Sequence, residues 1–540
     1  MQKALQLRIT AQDFSSKPAI LQQIAQALDL PADQLTGFHI LKKSMDARQR
    51  QIYYNLNLLV YIKEAYQPLT LPEFPAKEVH QSVHEVLIIG AGPAGLFAAL
   101  SCLEHGIRPV IIERGKDVQK RRRDLATLNK QGSVNPESNY CFGEGGAGTY
   151  SDGKLYTRSK KRGSIQKALE TFVQFGADPA ILYEAHPHIG TNKLPAIITQ
   201  MRQKVLEAGG QIHFDQKLTD FELKDGKIIC VTTLAGDKIK ASHVILATGH
   251  SAKDIYRLLK AKNIFIESKP FALGVRVEHP QSLINEIQYK CTAAEMAQQA
   301  LPPAAYSLVT QQAGRGVFSF CMCPGGIIAP AATEPGALVV NGWSPSKRNN
   351  PYANSGMVVQ VDQKAAFEFL QVKGHGSIDP KDPLLLMHFQ QLVEEIMYEA
   401  GGGQFQAPAQ RLTDFVTHKK SSNLPACSYI PGVKSARLDQ LLPQFIADTL
   451  GAGLKEFGRK MKGYYTEQAI LVGTESRTSA PVRIPRDPLN LHHPQIQNLY
   501  PAAEGAGYAG GIISAAMDGT KIVDTIAEKL GLYRPAPATD

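Results

Sequence analysis

Glu85-Val-Leu-Ile-Ile-Gly90-Ala-Gly92-Pro-Ala-Gly95 is the stretch of this 540-residue sequence that decides the fold. Its apolar run is short enough for a buried parallel strand, and Gly90 then predicts a tight turn. Gly92 would let the backbone approach a pyrophosphate, and Gly95 would let the next helix pack closely on the strand. That helix, predicted from about Pro93 to His105, would direct its amide groups and positive dipole end at phosphates.

An acidic residue one strand later supports a nucleotide site. Pro109-Val-Ile-Ile-Glu113 predicts a second strand, and a carboxylate at its end can accept hydrogen bonds from a ribose diol. The same charge would repel a 2′-phosphate, so the motif disfavours NADP. A strand, a glycine turn, a helix and an acid in this order predict a site for an ADP-ribose-like group.

The composition is typical of a globular protein with several domains. The apolar fraction is 43% and the charged fraction 20%, and 540 residues are too many for one core. No apolar run is long enough to span a bilayer, and the N-terminus lacks the apolar core of a secretory signal. Seven scattered cysteines fit a reducing compartment, so a cytoplasmic protein is expected.

The net charge of +10 is modest for this length and is spread along the chain. Two short basic runs, Lys120-Arg121-Arg122-Arg123 and Lys160-Lys161-Arg162, are interpreted as solvated helix faces or loops rather than as a nucleic-acid surface. No set of side chains has the spacing of a metal site. The sequence therefore argues against nucleic acid, a membrane or a metal as a partner.

Periodicity divides the chain into four stretches. Residues 1–80 predict a small α+β module, of βαββ type. Residues 81–265 and 481–540 predict two parts of one α/β domain, a doubly wound, Rossmann-type sheet with a β-meander. Residues 266–480 predict an inserted α+β domain that would bind substrate. The patterns in the inserted region include a strand at Gly336 to Asn341 and a helix at Leu438 to Leu450.

Three segments, in family order, resemble the glutathione-reductase-like FAD superfamily. They are the motif from Gly90 to Arg114, a buried strand from Val244 to Gly249, and a segment from Asn498 to Gly511. The resemblance implies FAD as the cofactor. It also implies that an acid in the last segment bonds the ribityl or pyrophosphate part, and Glu504 stands there, where aspartate is commoner. The helix that opens at Gly510-Gly511-Ile512 would face the flavin with its positive end and favour a reduced, anionic form.

From about Val83 onward the chain more closely resembles a family of bacterial FAD-dependent dehydrogenases. The segments that carry this resemblance are Phe142-Gly-Glu-Gly-Gly-Ala-Gly, Ser151-Asp-Gly-Lys-Leu, Ala272-Leu-Gly-Val-Arg-Val-Glu-His, Cys321-Met-Cys323-Pro-Gly-Gly and Glu504-Gly-Ala-Gly-Tyr-Ala-Gly-Gly. It implies a flavoprotein oxidoreductase of unknown substrate, whose flavin takes a hydride from a substrate carbon or passes one to it.

The motifs and the resemblance together imply a set of cofactor-binding residues. Within this set, the glycine loop at residues 145–148 can expose backbone amides to phosphates or line the flavin, although a simple turn would also explain its glycines. The set is Gly90, Gly92, Pro93, Ala94, Gly95, Glu113, Arg114, Gly145, Gly146, Gly148, Leu218, Thr248, Gly249, Glu504, Gly505, Gly511 and Ile512.

The sequence contains no second strand–glycine–helix unit. Gly451-Ala-Gly453 follows a predicted helix and lacks a strand before it. Disulfide reductases of the superfamily carry a separate NAD(P)H domain and a CxxxxC pair, and neither is visible here. Three electron sources are therefore compatible with the sequence: a small-molecule substrate, NAD(P)H at an unrecognised site, or a protein electron donor.

Cys321, Cys323 and His250 are the candidate catalytic residues. Strand alternation would put both cysteines on one face, where they could form a strained redox disulfide or leave one as a thiolate near the flavin. Buried structural cysteines are the commoner case. A histidine could move a substrate proton. Further polar residues in or near the family-like segments are Cys141, Lys154, Arg276, Arg477 and His493.

Two other functions stay open. A flavin-dependent RNA-modifying enzyme would use the positive charge and the basic N-terminal patch of Lys42, Lys43, Arg48 and Arg50. A non-catalytic, flavin-bearing electron-transfer or binding protein would instead use the N-terminal module to dock a partner.

Overall fold

The structure is a computed structural model, and it describes residues 1–49, 51–157 and 163–533. Three sequence predictions lie outside the described residues. They concern the basic run Lys160-Lys161-Arg162, Arg50 of the N-terminal patch, and the end of the chain from Arg534, whose composition predicts fraying.

A five-stranded parallel sheet forms around the opening motif. Its strands, in spatial order, are Leu499–Pro501, Val244–Leu246, Glu85–Ile89, Arg108–Ile112 and Gln211–His213. Successive apolar side chains point to opposite faces and both faces are covered. Val86 and Ile88 pack on a helical layer, whereas Leu87 and Ile89 pack on the layer that contains the β-meander. The predicted α/β fold class is confirmed.

The glycines of the motif make the turn that was predicted for them. Gly90 has φ +107°, and a Cβ there would lie 2.5 Å from the carbonyl oxygen of Ala247. The helix that follows spans Pro93–His105, and Gly106 ends it in the left-handed conformation. The C-terminal helix Ile512–Lys529 packs directly against it. Two helix N-termini therefore sit beside the same end of the sheet.

Two further sheets are antiparallel, except that Ala407–Arg411 and Val433–Ser435 pair in parallel. The β-meander consists of Leu218–Lys224, Lys227–Thr233 and Lys238–Lys240. A seven-stranded sheet has the spatial order Val309–Gln312, Arg315–Cys323, Tyr352–Val361, Phe271–Pro280, Ile470–Glu475, Ala407–Arg411 and Val433–Ser435. Two small ribbons pair Glu267–Ser268 with Val482–Arg483 and Ile327–Pro330 with Val340–Trp343.

The other helices in the described part of the chain surround these sheets. They are Ala11–Phe14, Lys17–Leu28, Val118–Gln131, Ile165–Gln174, Leu194–Glu207, Lys253–Ala261, Gln281–Tyr289, Ala293–Gln298, Gln363–Val372, Leu385–Gly401, Leu412–Val416, Leu438–Leu441 and Gln444–Lys460, with short 3₁₀ turns at Ala32–Gln34, Gly146–Gly148 and Pro179–Leu182.

Three local predictions were wrong. The strand predicted at Gly336 to Asn341 begins only at Val340, because Gly336 has φ +79° and belongs to a turn. The single helix predicted at Leu438 to Leu450 is two helices, because Pro443 starts the second one. That second helix continues through Gly451 and Gly453, beyond the end predicted for it at Leu450. A Cβ on Gly453 would lie 2.7 Å from Val317, so close packing explains this glycine.

The N-terminal stretch has the strand and helix order βαββ. Gln2–Thr10, Leu35–Asp46 and Tyr53–Ile62 form an antiparallel sheet with Tyr53–Ile62 in the centre. Lys43 of the predicted basic patch is not free, because its Nζ lies 2.6 Å from the Glu184 carboxylate. Arg48 likewise pairs with Asp46 at 2.8 Å.

The parallel sheet draws its strands from residues 85–246 and 499–501, and the seven-stranded sheet from residues 309–475 together with 271–280. The domain boundaries at residues 80, 265 and 480 stay predictions. None of the helices within the described residues is both long and apolar enough to cross a membrane.

Candidate functional site

A cleft opens at the carboxyl ends of the parallel strands, where ligands of open α/β sheets bind. The parallel sheet and its helices form one wall, and Phe320, Cys321 and Asn341 contribute to the other. The predicted cofactor residues that line it are Gly90, Gly92, Pro93, Ala94, Glu113, Arg114, Gly146, Gly148, Leu218, Thr248, Gly249, Glu504, Gly511 and Ile512. Residues far apart in the sequence thus meet in one site.

Glu113 is buried directly after its strand, in the part of the cleft beside the glycine motif, which we call the outer end. Its carboxylate accepts hydrogen bonds from the backbone amides of Ala91 at 2.8 Å, Gly115 at 2.9 Å and Gly143 at 3.0 Å. These bonds fix the carboxylate. Since a carboxylate has about four acceptor positions, Oε2 can still accept a hydrogen bond from a hydroxyl group.

Two helix N-termini face the cleft with free space in front of them. Gly92 and Gly511 cap the helices Pro93–His105 and Ile512–Lys529, and no side chain in the described part of the chain caps either one. A Cβ on Gly92 would come no closer than 3.9 Å to Gly146, and a Cβ on Gly511 would have nothing within 4 Å. Uncapped amides and the helix dipole attract anions such as a pyrophosphate.

Arg121 supports the glycine loop from behind, and sequence reasoning missed it. The basic run was interpreted as a solvated face, but Arg121 is fully buried. Its guanidinium donates to the carbonyl oxygens of Asn139 at 2.8 Å, Glu144 at 2.7 Å and Gly146 at 2.9 Å. The helical spacing could have predicted this burial, because the buried residues of this helix recur at positions 118, 121, 125 and 128, which lie on one helix face.

Three residues predicted to bind the cofactor do not line the cleft. A Cβ on Gly95 would lie 1.9 Å from the Gly90 carbonyl oxygen, so this glycine permits the helix to approach the strand. Gly145 has φ +77° and packs against Thr149 and Ile198. Gly505 packs on Gly249, where a Cβ would lie 2.7 Å from the carbonyl oxygen. These positions shape the site through the backbone.

The cleft lining also includes the ionisable side chains Lys154, His250, Cys321 and Arg477, and we call the part that they line the inner end. His250 Nδ1 lies 3.6 Å from a carboxylate oxygen of Glu504. Among the described residues its buried Nε2 has no hydrogen-bond partner. His493 differs, because its Nε2 lies 2.9 Å from the Phe265 carbonyl oxygen and its Nδ1 accepts from the Gln495 amide.

The two candidate cysteines do not alternate along a regular strand. Cys321 has φ +46°, and the pairing register shifts between Phe320 and Cys323. Regular alternation therefore does not apply at this bulge, but the two side chains still lie close enough for their thiols to interact. Both sulfurs are free thiols, with Cys321 in the cleft wall and Cys323 buried behind it. Arg276, also fully buried, donates to the Cys321 carbonyl oxygen at 2.7 Å.

A buried ion network holds Arg477 at the cleft. Glu394 lies 3.2 Å from Arg477 Nη2, 3.3 Å from Lys253 Nζ, and accepts from the Ser476 hydroxyl at 2.7 Å. Burial alone would raise the pKa of Glu394, but the two cations outweigh burial and lower it to about 2. Arg477 also donates to the Thr333 hydroxyl at 2.9 Å. The network fixes one cation at the inner end.

The described residues include no group of three or more His, Cys, Asp or Glu side chains that could hold a metal ion. They do offer what a dinucleotide needs. The outer end supplies a buried carboxylate with a free acceptor position, the middle supplies two uncapped helix N-termini, and the backbone at Gly92 leaves space. The arrangement fits a bound dinucleotide whose far end reaches the ionisable cluster.

Three family models match the chain. One described as FAD-dependent protein, C-terminal domain-like, matches residues 270–478. One described as pyridine nucleotide-disulphide oxidoreductase matches residues 84–256, and a domain of unknown function matches residues 1–61. The model over residues 84–256 covers four of the five strands of the parallel sheet, and the model over residues 270–478 covers every strand of the seven-stranded sheet.

Similar proteins include an uncharacterized protein from Clostridium beijerinckii, 38% identical over 531 residues, or 95% of this chain and 96% of that protein. Protein FixC from Escherichia coli is 25% identical over 215 residues, or 38% of this chain and 46% of its own. Among solved structures, glycerol-3-phosphate dehydrogenase from Bacillus halodurans with FAD has 12% identity and a TM-score of 0.36, covering 85% of this chain and 67% of that one.

Proposed function

The chain belongs to a family of bacterial FAD-dependent oxidoreductases, and we propose that it exchanges a hydride between its flavin and a small molecule at the inner end of the cleft. FAD is the cofactor. When bound, it supplies the two-electron chemistry, and the protein supplies orientation and a site from which water is excluded.

One observation carries the proposal. A single cleft runs from Glu113 beside the dinucleotide motif to Lys154, His250 and Arg477, which other parts of the chain contribute. The ADP part of the cofactor would lie at Glu113 and Gly92. Its ring would then reach the end where cations and a histidine meet. A substrate stacked there would lie against side chains able to bind charge and move a proton.

The helix Ile512–Lys529 would act on the ring electrostatically. Its uncapped N-terminus at Gly511 faces the cleft, and the positive end of a helix dipole stabilises negative charge. Arg477, held by Glu394, adds a fixed cation at the inner end. Both features would stabilise the negative charge of a reduced, anionic flavin.

His250 is our candidate for the group that takes or gives the substrate proton. Glu504 lies beside Nδ1 and would orient the ring, while Nε2 is uncommitted among the described residues. His493 has both ring nitrogens occupied and lies outside the cleft lining. It therefore serves as the comparison residue.

Anaerobic stopped-flow mixing tests the proposal. Oxidised holoprotein is mixed with NADH, NADPH and panels of amines, alcohols and 2-hydroxy acids, and flavin absorbance is followed. Rapid bleaching by a small molecule is expected, with saturation in substrate concentration. Bleaching by a reduced protein carrier alone would contradict a small-molecule substrate and favour the electron-transfer alternative.

A separate measurement tests the alternative of a flavin-dependent RNA-modifying enzyme. Lys43 is engaged by Glu184 and Arg48 by Asp46, which weakens the case for the predicted basic patch. Filter binding of bulk tRNA at low salt should show no retention. Retention that falls steeply with added salt would revive this alternative.

A further inference from the structure

Cys321 occupies an unusual backbone position at the cleft. Its φ of +46° is rare for a residue with a side chain, and it coincides with the bulge in strand Arg315–Cys323. The bulge re-aims the side chain, and Cys321 becomes part of the cleft lining. Cys323, two residues later, does not line the cleft and is fully buried.

The charged groups around Cys321 come from several elements. Lys154 Nζ lies 3.9 Å from the sulfur and also donates to the Met322 carbonyl oxygen. Arg276 bonds the Cys321 carbonyl oxygen, and its Nη2 lies 3.5 Å from Cys323 Sγ. The titratable and charged groups acting on the Cys321 sulfur are Lys154, Arg276, Cys323, Asp152 and Glu475.

The balance of these groups favours negative charge on sulfur. The neighbouring Cys323 thiol, then the cations Lys154 and Arg276, lower the pKa of Cys321 well below its ordinary value, against burial and Asp152. The Cys323 thiol also donates to the Cys321 carbonyl oxygen at 3.2 Å. Burial raises the pKa of Glu475, which pairs with Arg276, to about 7, so its negative charge opposes the thiolate as the pH rises through neutral. The Asp152 carboxylate pairs with both Lys154 at 3.4 Å and Arg348 at 2.8 Å.

Cys141 lines the same cleft and provides a contrast. Its sulfur lies 3.9 Å from Arg477 Nη1, a distance equal to that between Lys154 and Cys321. Arg477 pairs with Glu394 at 3.2 Å and Lys154 pairs with Asp152 at 3.4 Å, so the cation beside each sulfur has a carboxylate partner. The difference is that Cys141 has no second thiol beside it within the described residues, whereas Cys321 has Cys323.

We propose that Cys321 is a nucleophilic site of the cleft, which binds electrophilic small molecules covalently through its sulfur. The sulfur electron pair forms the new bond to an electrophilic carbon, and the leaving group departs with the electrons of the bond that breaks. With iodoacetamide, a sulfur–carbon bond forms, the carbon–iodine bond breaks and iodide leaves. The site does not depend on the substrate proposed for the flavin.

Alkylation of the holoprotein with iodoacetamide across about pH 5.5 to 9 tests this inference. Peptide mass spectrometry gives a separate rate for each cysteine. At pH 7, Cys321 is expected to react about tenfold faster than Cys141, and its rate should already be level near neutral pH, because only a thiolate reacts. A Cys321 rate that rises about tenfold per pH unit up to roughly pH 8.5 would overturn the proposal. Modification at Cys323 instead of Cys321 would do the same.

Two variants at Lys154 test whether its charge causes the fast alkylation of Cys321. Lys154→Met should slow Cys321 alkylation at pH 7 about tenfold and move its midpoint to higher pH, whereas Lys154→Arg should keep most of the rate. Cys141 alkylation in the same sample is the internal control, and bound FAD and the thermal midpoint verify that each variant is folded. Equal Cys321 alkylation rates in wild type and Lys154→Met would show that Lys154 does not activate Cys321. Failure here would leave the hydride-transfer proposal intact, since that is tested by flavin bleaching.

Discussion

Arg121 Nη2 donates a hydrogen bond of 2.9 Å to the carbonyl oxygen of Gly146, which lines the cleft. The same guanidinium bonds the carbonyl oxygens of Glu144 and Asn139. One buried cation thus gathers the carbonyl oxygens of the loop, while the amides of residues 143–146 donate to Glu113, Lys116, Ala91 and Gly143 within the protein. The cofactor loop depends on a side chain from the helix Val118–Gln131 that does not line the cleft.

Arg121→Met should weaken FAD binding about tenfold or more and lower the free energy of unfolding by about 3 kcal/mol, because several buried carbonyl oxygens lose their donor. Fluorescence titration of the apoprotein with FAD and urea unfolding measure the two effects. Lys120→Met, one residue earlier and exposed, is the control. Equal behaviour of the two variants would mean that Arg121 does not hold the loop.

Gly92→Ala and Gly95→Ala should separate binding from folding. A Cβ at Gly92 has only an ordinary contact, at 3.9 Å, so the apoprotein should keep its stability while the methyl group blocks the pyrophosphate. A Cβ at Gly95 would lie 1.9 Å from the Gly90 oxygen, so this variant should unfold at lower temperature even without FAD. Apoprotein thermal midpoints and FAD titrations make the comparison. A destabilised Gly92→Ala apoprotein would contradict this assignment.

Glu394→Gln should destabilise the protein at pH 7 by about 3–5 kcal/mol, because Lys253 and Arg477 would stay buried without their carboxylate. Urea unfolding of the holoprotein measures the loss. Glu222→Gln, which breaks the exposed pair with Lys238, should leave stability unchanged.

The contribution of Glu394 should also depend on pH. Its pKa is lowered from 4.5 to about 2 in the folded protein, so its stabilisation is fully present above pH 4.5 and is lost as the pH falls toward about 2. The stability difference between wild type and Glu394→Gln should therefore shrink as the pH falls from about 5 to 3. A difference that stays constant over this range would show that the carboxylate is not charged as described.

His250→Gln should slow flavin reduction by the identified donor about a hundredfold, the typical loss of a general acid or base, and change FAD affinity less than about twofold. His493→Gln should lower the thermal midpoint, because both ring nitrogens are bonded, but keep the reduction rate of the folded holoprotein. Single-turnover absorbance traces give the rates. Equal slowing in both variants would assign His250 a structural role only.

Local sequence patterns predicted the elements around Gly90 well. A buried apolar run, a glycine turn and an acid at Glu113 each have one physical cause, and all act between neighbours in the sequence. The grouping of side chains at the inner end of the cleft could not be predicted from local sequence patterns. Lys154, His250 and Arg477 were each noted, but their meeting depends on contacts between distant segments.

The misses have specific causes. Arg121 was hidden because four adjacent cations look like a solvated face, although the spacing of its buried neighbours marked it. The bulge at Cys321 could not be predicted, because alternation assumes a regular strand. The helix was predicted to end before Gly453, because this glycine is explained only by close packing on Val317, which is distant in the sequence.

The central claim is that the cleft holds FAD with its ADP part at Glu113. Titration of the apoprotein with FAD and with FMN, which lacks the AMP half, tests it most directly, in wild type and in Glu113→Gln. We predict that wild type binds FAD much more tightly than FMN, and that Glu113→Gln weakens FAD alone by about 10–100-fold, because a buried acceptor is replaced by a donor facing the Ala91 amide. Equal affinity for FAD and FMN, or unchanged FAD affinity in Glu113→Gln, would contradict the account.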